Sequence, residues 1–198
     1  MGTVGTGFSM SLDGFVAAPG DDVSRLFQWY SSGATDEVPL GQGTEKVSAE
    51  GAQLIREAGN ATGALVAGRR LFDLTNGWGG RHPLDVPVVV VTHSTDSVAP
   101  EWLREGSIFT FVTDGVESAI ATAKAIAGEK NVAVASPSIV RQCITSGLLD
   151  EIHIDLVPVL LGDGIRLFGG LGVGLVELES TRATATPGVM HLTFRIVK

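Results

Sequence analysis

The segment Gly63-Ala-Leu-Val-Ala-Gly-Arg-Arg-Leu-Phe72 sets a short apolar run directly against two arginines. The run from Ala64 to Ala67 reads as a buried strand. Gly68 then lets the backbone turn and approach another group closely. Arg69 to Leu74 opens a helix, and two guanidiniums at the strand exit can grip phosphate. On this block alone, surface salt bridging explains the pair equally well. A strand that feeds a helix is the unit of an α/β sheet, and the flanking sequence extends the pattern both ways.

Upstream, residues 3–11 read as a first strand, left through the turn Ser11-Leu-Asp-Gly-Phe15. Residues 19–45 are polar and Gly-rich, with aromatic anchors Phe27, Trp29 and Tyr30, and read as a long loop of the kind that carries function. A helix is expected from Lys46 to Ala58. Downstream, Trp78-Gly-Gly-Arg81 is a turn before Val86-Pro-Val-Val-Val-Val-Thr92, a central-strand pattern. Ile108 to Thr113 is another strand. Asp114 with Glu117 makes a capping-box signature for a helix that carries Val116, Ala119, Ile120, Ala123 and Ala127 on one face. Asn131 to Ala135 is a strand, Ser136 an N-cap and Pro137 a first helical residue. Ile139, Val140, Cys143 and Ile144 make that helix's buried stripe, and Gly147 ends it.

From Asp150 the pattern changes. Ile152, Ile154 and Leu156 alternate with polar residues, as do Leu192, Phe194 and Ile196. These are half-buried, antiparallel-type strands. The chain therefore predicts one domain, residues 1–198, with a mostly parallel α/β sheet and antiparallel C-terminal strands. Exposed Leu and Val around 171–176 suggest a dimer surface.

Composition narrows the function. The 198 residues carry a formal net charge of −8, which argues against a nucleic-acid protein but leaves room for one nucleotide bound by a local basic cluster. Cys143 is the only cysteine, so no intrachain disulfide forms and a cytoplasmic setting is expected. No apolar stretch reaches the ~20 residues of a membrane span. The histidines, at 82, 93, 153 and 191, show no metal-ligand spacing, so no metal is expected. The chain has no G-x-S-x-G elbow and no Walker A motif, and no Rossmann glycine fingerprint follows a predicted strand.

Three strand ends remain as a candidate anion site, since ligands of open α/β sheets sit at the carboxyl ends of strands. They are Gly68-Arg69-Arg70, Thr92-His93-Ser94 and Ala135-Ser136-Pro137-Ser138; at the last, a helix N-terminus offers positive partial charge. Each alone is ordinary turn chemistry. Asp13 is either a plain turn aspartate or a carboxylate facing a substrate pocket. Trp29 and Trp78 either line that pocket or close the core.

Taken in order, several runs resemble the dihydrofolate-reductase-like superfamily, and more closely the reductase domain of bacterial riboflavin biosynthesis and its stand-alone relatives. They are Ser9-Met-Ser-Leu-Asp-Gly-Phe-Val-Ala17, Ala64 to Asp73, Gly77-Trp-Gly-Gly-Arg81, Val88 to His93, Gly147 to Ile154, and Pro158-Val-Leu-Leu-Gly-Asp-Gly-Ile-Arg-Leu-Phe168. The resemblance implies a three-layer fold, NADPH as cofactor and a homodimer. It would put Gly68, Arg69 and Arg70 on the adenosine-side phosphates, and Thr92, His93 and Ser94 beside the adenine ribose and its 2′-phosphate. Met10, Asp13, Gly14 and Phe15 would surround nicotinamide and substrate, and Gly162 would close the far side. Two departures stand out. Ala135-Ser136 replaces a common Gly-Gly pair, and Leu71 replaces a helix-starting Thr. The acidic residue that grips the pterin in true dihydrofolate reductases has no aligned equivalent, although Asp21 and Asp22 lie in that region. The leading expectation is an NADPH-dependent reductase of a small heterocyclic or carbonyl substrate, with Asp13 as the candidate catalytic group. The alternative is a non-enzymatic dimeric module that binds a nucleotide or other small ligand. A flavin-dependent reductase is the third reading.

Overall fold

A computed structural model describes residues 2–31, 36–40 and 43–198. An eight-stranded sheet forms its centre. Five strands run parallel through the middle: β1 (Val4–Ser11), β5 (Thr62–Gly68), β6 (Val88–Val91), β7 (Phe109–Val112) and β8 (Asn131–Val134). β9 (Glu151–Val157) lies parallel to β1 on one side and antiparallel to β12 (Val189–Ile196) on the other. β11 (Leu178–Thr186) completes the sheet as an antiparallel edge. The alternating pattern of residues 152–156 thus belongs to the strand that joins the two halves. Its side chains alternate because one face carries the core while the other is partly solvated, whichever way its neighbours run.

The sheet is covered on both faces. In β5, Ala64 and Val66 point to one cluster while Leu65 and Ala67 point to another, which explains the unbroken apolar run. The first face is covered by α5 (Val116–Ala127) and α6 (Pro137–Thr145), through the stripes the sequence shows. The opposite face carries two clusters. Phe72 of α3 (Arg69–Leu74) packs with Val88, Val90 and Phe109 over one part. Trp29, Val38, Val47 and Ala52 pack with Val157 and Val189 over the other. The architecture is the expected three-layer α/β fold.

Three local expectations change. The segment 19–45 is not one loop. It contains α1 (Ser24–Phe27), a 3-10 turn (Gln28–Ser31) and a hairpin of β3 (Asp36–Leu40) and β4 (Gly43–Val47), while positions 32–35 and 41–42 lie outside the described residues. Lys46 and Val47 therefore belong to a strand, and α2 (Ala49–Ala61) starts only after Ser48, whose Oγ accepts the Gly51 N–H at 3.1 Å. Val38 and Val47 are both buried, and cross-strand burial takes precedence over helical spacing there. Asp114 does not cap α5: Gly115 takes that position at φ +106, with no side-chain cap.

The anchored part of this excursion forms a wall. The Trp29 indole N–H donates to Ser9 Oγ at 2.9 Å, and its ring stacks on Tyr30 at 3.9 Å. Beside it, His191 Nδ1 lies 2.6 Å from Asp155 Oδ1, and its Nε2 lies 2.9 Å from Thr186 Oγ1. Ser9, Asp155 and His191 sit side by side across β1, β9 and β12. This polar row fixes residues 29–30 to the sheet. Trp29 is legible as an aromatic anchor, but the sequence does not show which strands become neighbours.

Candidate active site

The site begins with a difference in strand length. β8 ends at Val134, level with Thr6 of β1 and Val66 of β5. β1 continues to Ser11 and β5 to Gly68, so the sheet has a notch above β8 at the carboxyl ends of its parallel strands. Thr6 Oγ1 donates to Val134 C=O at 2.7 Å and fixes the point where the strands part. Crevices of this kind are where open α/β sheets take ligands.

The three predicted strand ends meet at this notch. The Gly68 N–H donates to Ser136 Oγ at 2.8 Å, joining the end of β5 to the turn after β8. Ser136 is buried, and a Cβ at Gly68 would lie 3.3 Å from its Oγ, so the serine fills the room above the glycine. Ser136 is the N-cap by backbone angles, but its hydroxyl makes no cap bond because it serves Gly68 instead. Ala135 sits half-buried beside it, and Ser138 is exposed one residue past Pro137. Arg69 joins the β5 end to the loop after β6: it reaches Ser94 C=O at 3.5 Å, Ser97 C=O at 3.2 Å and Ser97 Oγ at 3.1 Å, and pairs with Asp73 at 2.8 Å. In that loop Thr92 Oγ1 donates to Ser94 C=O at 2.8 Å, while His93 and Ser94 are exposed. Ser97 was not singled out in the sequence.

The other side of the notch is organised by Asp13. Its Oδ1 accepts from Ser11 Oγ at 2.6 Å and from the Leu161 N–H at 3.1 Å, and its Oδ2 accepts from the Gly162 N–H at 2.7 Å. The Ser11 hydroxyl first, and the Gly162 and Leu161 N–H groups after it, hold the Asp13 carboxyl down to about 2. At neutral pH it is ionised and engaged by three donors, so it ties the turn after β1 to the loop after β9. Gly162 can serve there because its backbone sits at φ +76. Leu12 and Leu160 project into solvent on either side of this tie, an apolar rim that sequence reasoning did not identify.

Some expected pocket residues lie elsewhere. Trp29 is only 4% exposed and belongs to the cluster over β9 and β12, whereas Trp78 packs against the Phe72 cluster with its ring edge-on to His82. The two indoles do not form one open pocket: Trp29 stiffens a wall and Trp78 closes a core. Phe15 is 3% exposed, in β2 (Phe15–Ala17), and the Arg166 guanidinium lies 4.2 Å over its ring. Arg166 also donates to Asp13 C=O at 2.9 Å, so its guanidinium both covers the Phe15 ring and braces the turn. Met10 is half-buried against the main core, and Gly14 holds φ +89 in the turn. Cys143 is buried, with its thiol pushed up to about 12 by desolvation, so it is not a nucleophile. Among the described residues, no group of three His, Cys, Asp or Glu could hold a metal ion, and no helix is long and apolar enough to cross a membrane.

Comparison with known proteins agrees with this architecture. The model of the RibD C-terminal domain matches residues 3–192, and the chain belongs to that family. No curated protein matches it by sequence. Among solved structures, a protein assigned to riboflavin biosynthesis in Shewanella sp. PV-4 is 20% identical with a TM-score of 0.75, covering 99% of each chain. The riboflavin biosynthesis reductase of Saccharomyces cerevisiae is 12% identical with a TM-score of 0.63, over 99% of this chain and 90% of its own. The dihydrofolate reductase of Enterococcus faecalis, solved with NADP(H), is 15% identical with a TM-score of 0.60, over 99% and 97%. At these identities the likeness speaks for the fold.

Proposed function

We propose that the protein is an NADPH-dependent reductase of a small heterocyclic or carbonyl substrate. The observation that carries this reading is the meeting of three strand ends at one notch, with Arg69 and Arg70 on its edge. The exposed groups of His93 and Ser94 suit the 2′-phosphate end of the cofactor, and the exposed guanidinium of Arg70 suits its adenosine-side phosphates. The pyrophosphate turn departs from a glycine pair but keeps a donor: Ser136 accepts from Gly68 and has its own hydroxyl proton left for a phosphate oxygen. When bound, the cofactor supplies a hydride to an electrophilic carbon. Asp13 then acts as a positioning residue that holds the 161–162 loop against the reacting end, and Leu12 and Leu160 offer apolar contact to a planar substrate.

A second reading has its own support. Pro137 has no N–H, and Ser136 already fills the space above Gly68, which favours a module that binds a smaller ligand without turnover. Calorimetric titration with NADPH and NADH separates the two. Micromolar NADPH binding with NADH at least tenfold weaker supports the reductase. If the folded protein binds neither, the module reading takes its place.

We further propose a homodimer working in the cytoplasm. Leu175 is 89% exposed, and Leu178, Met190 and Val197 are exposed near it or on the adjoining strands. Such side chains fit a face covered by a second copy. Light scattering at micromolar concentration should return twice the chain mass; a monomer there contradicts the proposal.

A further inference from the structure

We propose that the Asp21 carboxylate occupies, at Arg70, the place of a ligand's phosphate group, and that a phosphorylated ligand entering the notch displaces it. The inference rests on the reading above that Arg70 faces an anionic ligand. Arg70 Nε lies 3.3 Å from Asp21 Oδ1, and its Nη2 donates to Oδ2. This is the two-pronged grip by which a guanidinium holds a phosphate. The carboxylate is placed there by a built turn. Ala18 N–H donates to Asp22 C=O at 2.8 Å, Gly20 sits at φ +82, and Asp21 itself sits at φ +62.

The pair borders a cavity of about 280 Å³, walled by residues 18–21, Arg70 and residues 163–165. Residues 163–165 pack tightly against the start of that turn: a Cβ at Gly164 would overlap Ala17 C=O at 2.0 Å. Asp163 adds a second carboxylate to the rim. An arriving phosphate therefore meets one guanidinium and two carboxylates, and it gains Arg70 only as Asp21 leaves. The Arg70 side chain is 75% exposed and that of Asp21 21%, so water reaches the pair from the arginine side and the exchange is easy.

The test titrates the wild type, Asp21→Asn, and Asp21→Asn with Arg70→Ala, using NADPH and separately inorganic pyrophosphate. Asp21→Asn should tighten binding about fivefold, the conversion of an exposed pair worth up to about 1 kcal/mol. The gain should vanish in the double variant. It should also shrink at about 1 M salt, which a merely structural change in the turn would not produce. A gain with NADPH makes the cofactor the displacing ligand. A gain with pyrophosphate alone, with no NADPH bound by any variant, keeps the displacement and overturns the NADPH reading. Wild-type NADPH binding that Asp21→Asn leaves unchanged overturns the displacement alone. Absence of binding by either probe to any variant overturns both.

Discussion

Two groups of the notch that could grip phosphate are already satisfied from within, and they are satisfied in different ways. The Gly68 N–H gives its hydrogen bond to Ser136 Oγ in a buried, neutral contact. The Arg70 guanidinium takes the Asp21 carboxylate in an exposed, charged one. A buried donor left without a partner costs its full desolvation, whereas an exposed ion pair gives up little when water or salt replaces it. The first contact therefore belongs to the framework, and the second can be exchanged for a ligand. The difference divides the edge into a part that shapes the notch and a part that responds to what enters it.

Breaking the contacts in turn tests that division. The largest effect is expected at Arg69, which bridges the framework and the loop of Ser94 and Ser97. Arg69→Ala should weaken NADPH binding about ten- to a hundredfold by titration, the loss of a charge-assisted contact worth ~1.5–3 kcal/mol. Next is Ser136→Ala, which strands the Gly68 N–H. It should lower unfolding stability by about 1–3 kcal/mol in urea, while Ser136→Thr should retain much of it.

The Asp13 tie should show in pH. A folded-state pKa lowered from 3.8 to about 2 means the tie contributes fully above 3.8 and is lost as pH falls through about 2. Amide shifts of Leu161 and Gly162 in the folded protein should titrate with a midpoint near 2 and should not in Asp13→Asn. The smallest effect is on the exposed pair: Asp21→Asn should change unfolding stability by less than about 1 kcal/mol, even though it changes binding.

Most of the sheet can be read along the chain because the parallel strands are buried on both faces. Val88-Val-Val-Val91 and the run to Gly68 need no partner to be recognised. The convergence of residues 68–70, 92–94 and 135–138 was also legible, since strand direction puts every carboxyl end on one edge. Other features depend on tertiary neighbours. The β3–β4 hairpin is short and polar, so Lys46 and Val47 look helical until Glu37 and Asp36 are paired with them across the hairpin. Trp29 is an anchor in either reading, and only the position of Ser9 decides its direction. Asp21 carries no local signal beyond a Gly-Asp turn, because its partner is far away in sequence. Ser136 looks like an N-cap because the Gly68 N–H that claims its hydroxyl comes from another strand.

The most direct test of the account is nuclear magnetic resonance of the amides during NADPH addition. The account predicts that Gly68, Arg69, Thr92 to Ser94 and Ser138 shift together and saturably, with Gly162 responding on the far side of the notch. Saturable shifts confined to residues outside the notch, or none at all from a folded protein, would contradict it.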